Sequence, residues 1–525
     1  MPITIGARPL TTAEVTAVAR HGEPITLDPQ ALARMAETRA IIEALADDTV
    51  PHYGISTGFG ALATTSIPPE RRVDLQRSLV RSHAASSGAE VEAEVVRATM
   101  LLRLQTLATG RTGARPDLAE QYAALLNASI TPIVGEYGSL GCSGDLAPLA
   151  HIALAAMGEG DVRDAAGARI PAAEALAAAG LAPIVLREKE GLALINGTDG
   201  MLGMLALALE DLSALIDTAD LAAAMSIEAL LGTDAVLADD LQVLRPHPGQ
   251  ARSARAMRAF LHDSGIVASH KTDDCTRVQD AYSLRCAPQV HGAARDTLTF
   301  AATIAERELA SAIDNPVVTL DGRVESNGNF HGAPVAYALD FVAIAVADLA
   351  SMSERRTDRF LDVARNAGLP PFLAHDPGVD SGHMIAQYTQ AGIVSELKRL
   401  AAPASVDSIP SSAMQEDHVS MGWAAGRKLR RAVDGLSRVV AIELLTAARA
   451  LDLRVAALGV SAAPATAAVV DRLRAVVPGP GPDRYLAPDI DAAHALVVDG
   501  ELLAAARQAT LTATTTPALT TGADR

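Results

Sequence analysis

Five long stretches of the chain, 201–231, 296–313, 333–356, 383–400 and 424–453, combine helical periodicity with apolar residues that are not confined to one face. A helix of that kind has little surface suited to water, so it belongs inside a bundle where similar helices cover it. Residue usage agrees, because hydrophobic residues make up 49% of the chain and aromatic residues only 3%, the excess being Ala, Leu and Val, which favour helix over strand. The expected fold is mainly α: a long central helical bundle preceded by an N-terminal region of mixed, loop-rich structure. One chain has few surfaces with which to cover so many apolar faces, so copies of it are expected to pack together.

A length of 525 residues exceeds that of one core. The expected division is an N-terminal region over 1–198, the bundle over 199–455, a smaller helical region over 456–510 that includes the Pro478-Gly479-Pro480-Gly481-Pro482 run, and a Thr-rich disordered tail over 511–525. A net charge of −18 argues against nucleic acid or an anionic membrane as partner, since approach to either costs repulsion, and suits a small metabolite. Three cysteines, Cys142, Cys275 and Cys286, are too few and odd in number for a disulfide scaffold, which points to the cytoplasm. The first residues lack a basic stretch followed by an apolar run, so no secretory signal is expected. Apolar runs such as 201–209 are interrupted by Glu210, Asp211, Asp217 and Asp220, and no transmembrane helix is expected.

Two glycine-rich loops break the helical pattern. From Thr12 to Leu45 the chain reads as short amphipathic helix, and Pro51-His52-Tyr53-Gly54 with Gly58 and Gly60 then forms an irregular loop. Leu75 to Leu107 reads as helix, and 127–144 as a second loop, after which Asp145 is placed to cap a helix that begins near Ala147-Pro148. This second loop runs into the string Gly138-Ser139-Leu140-Gly141-Cys142-Ser143-Gly144-Asp145-Leu146-Ala147-Pro148-Leu149-Ala150-His151. By composition alone it is a turn before a helix.

As a string it resembles the active-site signature of the histidine and phenylalanine ammonia-lyase family, in which a residue-Ser-Gly tripeptide cyclises into 4-methylidene-imidazol-5-one (MIO). The resemblance implies that the Gly144 nitrogen attacks the Cys142 carbonyl and that Ser143 loses its hydroxyl as water, so the electrophile forms from Cys142, Ser143 and Gly144 with no external cofactor. Family members usually carry Ala where this chain has Cys142. Only the carbonyl of that residue enters the ring, so a small thiol is tolerable, though it places an oxidisable group beside the electrophile. Such a group lowers the barrier to expelling ammonia by accepting the substrate's electrons through either its amine or its imidazole.

The resemblance extends from about Val50 past Trp423 and assigns further residues. In Tyr53-Gly54-Ile55-Ser56-Thr57-Gly58-Phe59-Gly60 it makes Tyr53 a proton-transfer residue. Asn196, in Ile195-Asn196-Gly197-Thr198, becomes an oxyanion-type donor to the prosthetic group and amine. In the segment Gln279-Asp280-Ala281-Tyr282-Ser283-Leu284-Arg285-Cys286, Arg285 holds the substrate carboxylate, Tyr282 helps with proton transfer, and Gln279 positions the carboxylate or the ring system. Phe330, in Asn327-Gly328-Asn329-Phe330-His331-Gly332, packs beside the prosthetic group.

Substrate choice follows from Ser82-His83 and from Gln415-Glu416, both similar to the histidine-type members, as is Met384. His83 bonds an imidazole nitrogen, and Glu416 either binds the imidazole N–H or takes a proton. The implied reaction is the non-oxidative deamination of L-histidine to trans-urocanate, the first step of histidine breakdown, in a homotetramer whose sites draw on more than one subunit. Alternatives are a tyrosine or phenylalanine ammonia-lyase, an aminomutase of the same family, and a non-catalytic helical assembly protein. No metal is expected, because His262, His270, Asp273, Asp274 and Cys275 match no tight zinc spacing; that segment is expected to be a mobile loop over the site.

Overall fold

A computed structural model describes residues 2–273, 275 and 278–515. It is mainly α-helical, with only short strands, and its chain divides into two compact units that are discontinuous in sequence. The first comprises residues 1–210, 300–341 and 403–430, the second residues 211–299, 342–402 and 431–525. The contiguous segments expected from the sequence do not coincide with these cuts. Four of the cuts fall within the long helices Asp199–Ala229, Ala287–Leu309, Ala333–Leu361 and Gly422–Leu458, and the fifth, between residues 402 and 403, follows the helix Met384–Leu400.

In the first unit the helix Thr12–His21 begins at a capping box, with the Glu14 N–H on Thr11 Oγ1 at 3.2 Å and the Thr11 N–H on Glu14 Oε2 at 3.0 Å. It stops at Gly22, whose left-handed φ of 69° suits the absent side chain. The strand Ile25–Leu27 then pairs in parallel with Ile3–Ile5, and a second helix, Pro29–Ala46, starts behind Asp28. The stretch expected as one helix over 12–45 is therefore two, divided at Gly22 and Pro24. Likewise 75–107 is divided into Arg72–His83 and Ala93–Ala108 by a strand, Ser87–Glu90. That strand pairs antiparallel with Gly135–Tyr137, a strand inside the loop expected over 127–144.

The centre of this unit is Ala93–Ala108, buried at every position from Val95 on. Two arginines sit in that helix, and each donates from all three of its guanidinium nitrogens. Arg97 donates to the Val18, Ala19 and Leu126 carbonyls at 3.0, 3.1 and 3.3 Å. Arg103, wholly buried, pairs with Asp199 and donates to the Ala193 carbonyl at 3.0 Å. A buried guanidinium is tolerable only when its donors are used in this way. Lys189 and Asp314 form a second fully buried pair at 2.5 Å.

The second unit holds buried polar networks of its own. Arg356 and Glu443 pair at 2.5 Å, and the same carboxylate accepts from Ser226 and Ser353 at 2.6 Å each. Glu228 accepts from Ser264, Thr466 and the Ala463 N–H. The C-terminal helices are Pro464–Arg474, Ala487–Val498 and Glu501–Thr515. The last one corrects the expectation of a disordered tail from 511: Leu511 to Thr515 continue the helix begun in the Ala-rich 501–508, whereas 516–525 lie outside the described residues.

Among the described residues one helix, Ala333–Leu361, has the length and mean hydropathy (1.7) to cross a membrane. Its Asp340, however, is buried and held by Lys428 Nζ at 2.7 Å and the Ser405 N–H at 2.7 Å, the pairing of a helix in a protein core.

Candidate active site

The loop at 138–145 is shaped by contacts that only small residues permit. A Cβ on Gly144 would lie 1.9 Å from the Gly197 carbonyl oxygen and 2.5 Å from its nitrogen, because the two glycines face each other as a parallel bridge. The Asp145 N–H reaches the same carbonyl at 2.7 Å. Ser143 takes φ 47° and Gly144 φ 78°, so the tripeptide is folded through two successive left-handed residues, an arrangement that costs a non-glycine residue energy and concentrates at functional sites. Gly141 is pinned beside it, its carbonyl accepting from Ser420 Oγ at 2.9 Å and from the Gly332 N–H at 3.2 Å.

Asp145 occupies the cap position of the helix Leu146–Ala156, but its side chain does not cap that helix. It turns away to accept from Ser139 Oγ at 2.8 Å and the Met201 N–H at 2.9 Å, tying the loop to the start of Asp199–Ala229. It is fully buried, and desolvation pushes its carboxyl up to about 7 against those hydrogen bonds.

A cavity of about 510 Å³ in the first unit opens onto this loop. Its lining includes Tyr53, His83, Ser143, Asn196 and Glu416, so five of the expected site residues are brought together. Asn196 ends the short helix Glu190–Ile195 and donates through Nδ2 to the Ser143 carbonyl at 2.9 Å. Its Oδ1 is buried and has no hydrogen-bond partner. Glu416 receives Ser143 Oγ on Oε1 at 3.0 Å, and on Oε2 both Ser411 Oγ at 2.8 Å and Cys142 Sγ at 3.1 Å. Tyr53 stacks edge-on to Phe59 and accepts the Gly60 N–H at 3.3 Å.

His83 closes the last turn of Arg72–His83, where Nδ1 meets the Leu79 carbonyl at 2.9 Å. A carbonyl only accepts, so Nδ1 carries the proton and Nε2 of the neutral ring is an acceptor. Burial lowers the imidazole's proton affinity below its usual value, against the Leu79 hydrogen bond and the charge of Glu416. Cys142 is buried, and desolvation followed by the bond to Glu416 raises its thiol to about 12. The neutral thiol is thereby favoured over the thiolate.

Ser411 is a contributor that sequence reading missed. It and Glu416 form an antiparallel bridge across Ser412, Ala413 and Met414, which take φ of 51°, 52° and 70°. Nothing in the run Ser411-Ser412-Ala413-Met414 announces three left-handed residues, since none is glycine.

Gln279, Tyr282, Arg285, Phe330 and Met384 are not among the residues lining the cavity. Arg285 donates to Gln279 Oε1 at 2.6 Å and lies 4.6 Å from the Tyr282 ring centre, while Tyr282 is 69% exposed. Met384 opens the helix Met384–Leu400, and Phe330 is half-buried just before Ala333–Leu361. Among the described residues no group of three His, Cys, Asp or Glu side chains is placed to hold a metal ion; Asp274 lies outside them.

Residues 10–475 match the family described as aromatic amino acid lyase. The chain is 63% identical over 509 residues to the histidine ammonia-lyase of Streptomyces coelicolor, covering 97% of this chain and 99% of that one. Among solved structures it is similar to a tyrosine aminomutase from Streptomyces globisporus (TM-score 0.90, 37% identity, 97% of this chain and 99% of that one). It is also similar to the histidine ammonia-lyase of Trypanosoma cruzi (TM-score 0.89, 38% identity, 97% of this chain and 96% of that one).

Proposed function

Since the chain belongs to the aromatic amino acid lyase family, we propose that it is an ammonia-lyase acting on L-histidine, releasing ammonia and trans-urocanate. The observation that carries the substrate choice is the pairing, in one cavity, of the His83 Nε2 acceptor with the Glu416 carboxylate, two polar groups suited to an imidazole and poorly suited to a phenyl ring. The high identity to a histidine ammonia-lyase supports the same reading over that of an aminomutase.

The tripeptide fits the proposed MIO group. Its left-handed backbone at Ser143 and Gly144 and the side-chain-free contact between Gly144 and Gly197 suit a nitrogen of residue 144 turning back on the carbonyl of residue 142. Closing that bond and removing the Ser143 hydroxyl expels two waters. The finished group would supply an electron-accepting methylidene. Asn196, donating to the Ser143 carbonyl that the ring retains, would draw electron density from it, and the unpartnered Asn196 Oδ1 is free to accept from the substrate amine. Tyr53 and Tyr282 are the proposed proton-transfer residues, with Glu416 holding or receiving an imidazole proton.

Among the described residues the cavity lining contains no Arg or Lys, so a substrate carboxylate would need a cation from elsewhere. Arg285, with the exposed Tyr282 and with Gln279, is proposed to serve the site of another copy in a homotetramer; Phe330 and Met384 complete the surroundings. Tyr337, Phe341 and Ile344 share one exposed side of Ala333–Leu361, and Ile385 and Tyr388 are exposed on Met384–Leu400, which supports burial of these helices by copies of the chain. Three free cysteines support residence in the cytoplasm.

Incubation of the purified protein with L-histidine, L-tyrosine and L-phenylalanine tests the reading. Urocanate is expected from the first alone; coumarate or cinnamate without urocanate overturns it. A tripeptide two waters lighter than its sequence is expected by mass spectrometry, and light scattering should give the mass of four chains.

A further inference from the structure

We propose that the Cys142 thiol is a positioning residue for Glu416, fixing which carboxylate oxygen is presented to the substrate's imidazole. The inference rests on the histidine reading above and adds a role for a side chain that ring formation itself does not use.

Before cyclisation, Glu416 accepts from three side chains: Ser143 Oγ on Oε1, and Ser411 Oγ and Cys142 Sγ on Oε2. Loss of the Ser143 hydroxyl as water removes the only one of these donors on Oε1. Oε2 keeps both of its own, so the carboxylate stays oriented while Oε1 is released toward the cavity that Glu416 and His83 both line. The two remaining donors differ in origin. Ser411 belongs to the loop that carries Glu416 and is bridged to it through the backbone, with the Ser411 N–H on the Glu416 carbonyl at 2.9 Å. Cys142 belongs to the tripeptide, so its thiol ties the loop that selects the ring to the group that reacts.

Two further observations fit this role. Cys142 is 6% exposed, and its raised proton affinity keeps the thiol neutral and donating. The buried Asn196 Oδ1, unpartnered on a residue that lines the same cavity, would accept from the amine end of the substrate.

The test compares full-length Cys142→Ala and Cys142→Ser with the parent. Both variants should still form the ring, which needs only the carbonyl of residue 142, and mass spectrometry of the tripeptide checks this. In Cys142→Ala the KM for L-histidine should rise about tenfold, the effect of losing one hydrogen bond to a charged group, with kcat changed far less. Inhibition by imidazolepropionate should weaken in parallel while inhibition by L-alanine, which lacks the ring, is unchanged; Cys142→Ser should restore the parent values. Equal imidazolepropionate affinity in parent and Cys142→Ala overturns the inference alone, as does an equal loss for both inhibitors. A parent protein that yields no urocanate overturns the histidine reading and this inference with it.

Discussion

Replacing Gly144 by alanine tests whether the packing of the tripeptide against Gly197 is the condition for its chemistry. The new Cβ would sit 1.9 Å from the Gly197 oxygen and 2.2 Å from its carbonyl carbon, contacts with backbone that no rotamer relieves. To reach ordinary contact the two segments must separate by well over 1 Å, roughly the displacement that already costs a hundredfold in rate at a reacting centre. The Asp145 N–H to Gly197 carbonyl bond, 2.7 Å long and buried, is then lost at about 1–3 kcal/mol. A left-handed alanine adds about 1 kcal/mol, and overpacking about 1–3 kcal/mol. The sum, about 5 kcal/mol, is local to the loop. Gly144→Ala should therefore assemble with a lowered thermal midpoint, retain both waters in its tripeptide, and lose at least about a thousandfold in urocanate production, on the scale of losing a main catalytic group. Gly167→Ala is the control, because Gly167 has φ 80° but no neighbour within 4 Å of its Cβ, so it isolates backbone strain from collision. A Gly144→Ala protein that sheds two waters and works within tenfold of the parent refutes the reasoning.

Three further outcomes follow from the same geometry. His83→Leu removes the Nε2 acceptor and should raise the KM for L-histidine about tenfold or more; in the parent, kcat/KM should hold as pH falls through the usual histidine range and drop only below it, since burial lowers that ring's proton affinity and the neutral form binds. Asp145, raised from 3.8 to about 7 in the folded state, favours folding below its unfolded value and loses that contribution as pH rises through 7. Relative to Asp145→Asn, the parent's stability by denaturant titration should decline with pH between 4 and 7, by at most about 1.4 kcal/mol per pH unit, and parallel curves would sink the assignment. Lys189→Met leaves Asp314 buried without its cation and should cost about 3–5 kcal/mol of stability, read as a fall in denaturation midpoint; an unchanged midpoint would show the pair is dispensable.

The helical class was legible because Ala- and Leu-rich periodic stretches admit few alternatives, and the loop at 138–145 because a long specific string marks it. Helix interruptions were less legible: Gly22 and the short strand Ser87–Glu90 are local events inside stretches whose average character is helical. Tyr53, His83, Asn196 and Glu416 were found through motifs, and their shared cavity bears out their proximity without testing their roles. Ser411 escaped notice because its importance comes from a backbone bridge over non-glycine left-handed residues, which residue identity does not encode. Asp145 was assigned a helix-capping duty from its position, yet a serine and a distant main-chain amide offered it better partners than the turn it precedes.

The bridge between Gly144 and Gly197 joins the tripeptide to the turn after Asn196, whereas His83 and Glu416 are borne by a helix terminus and a separate hairpin. In the proposed mechanism, reactivity and taste are thus vested in different pieces of backbone. A lineage could exchange residues at 83 and around 416 to accept another side chain on the amino acid, while leaving the rigid glycine contact, and with it the means of expelling ammonia, untouched.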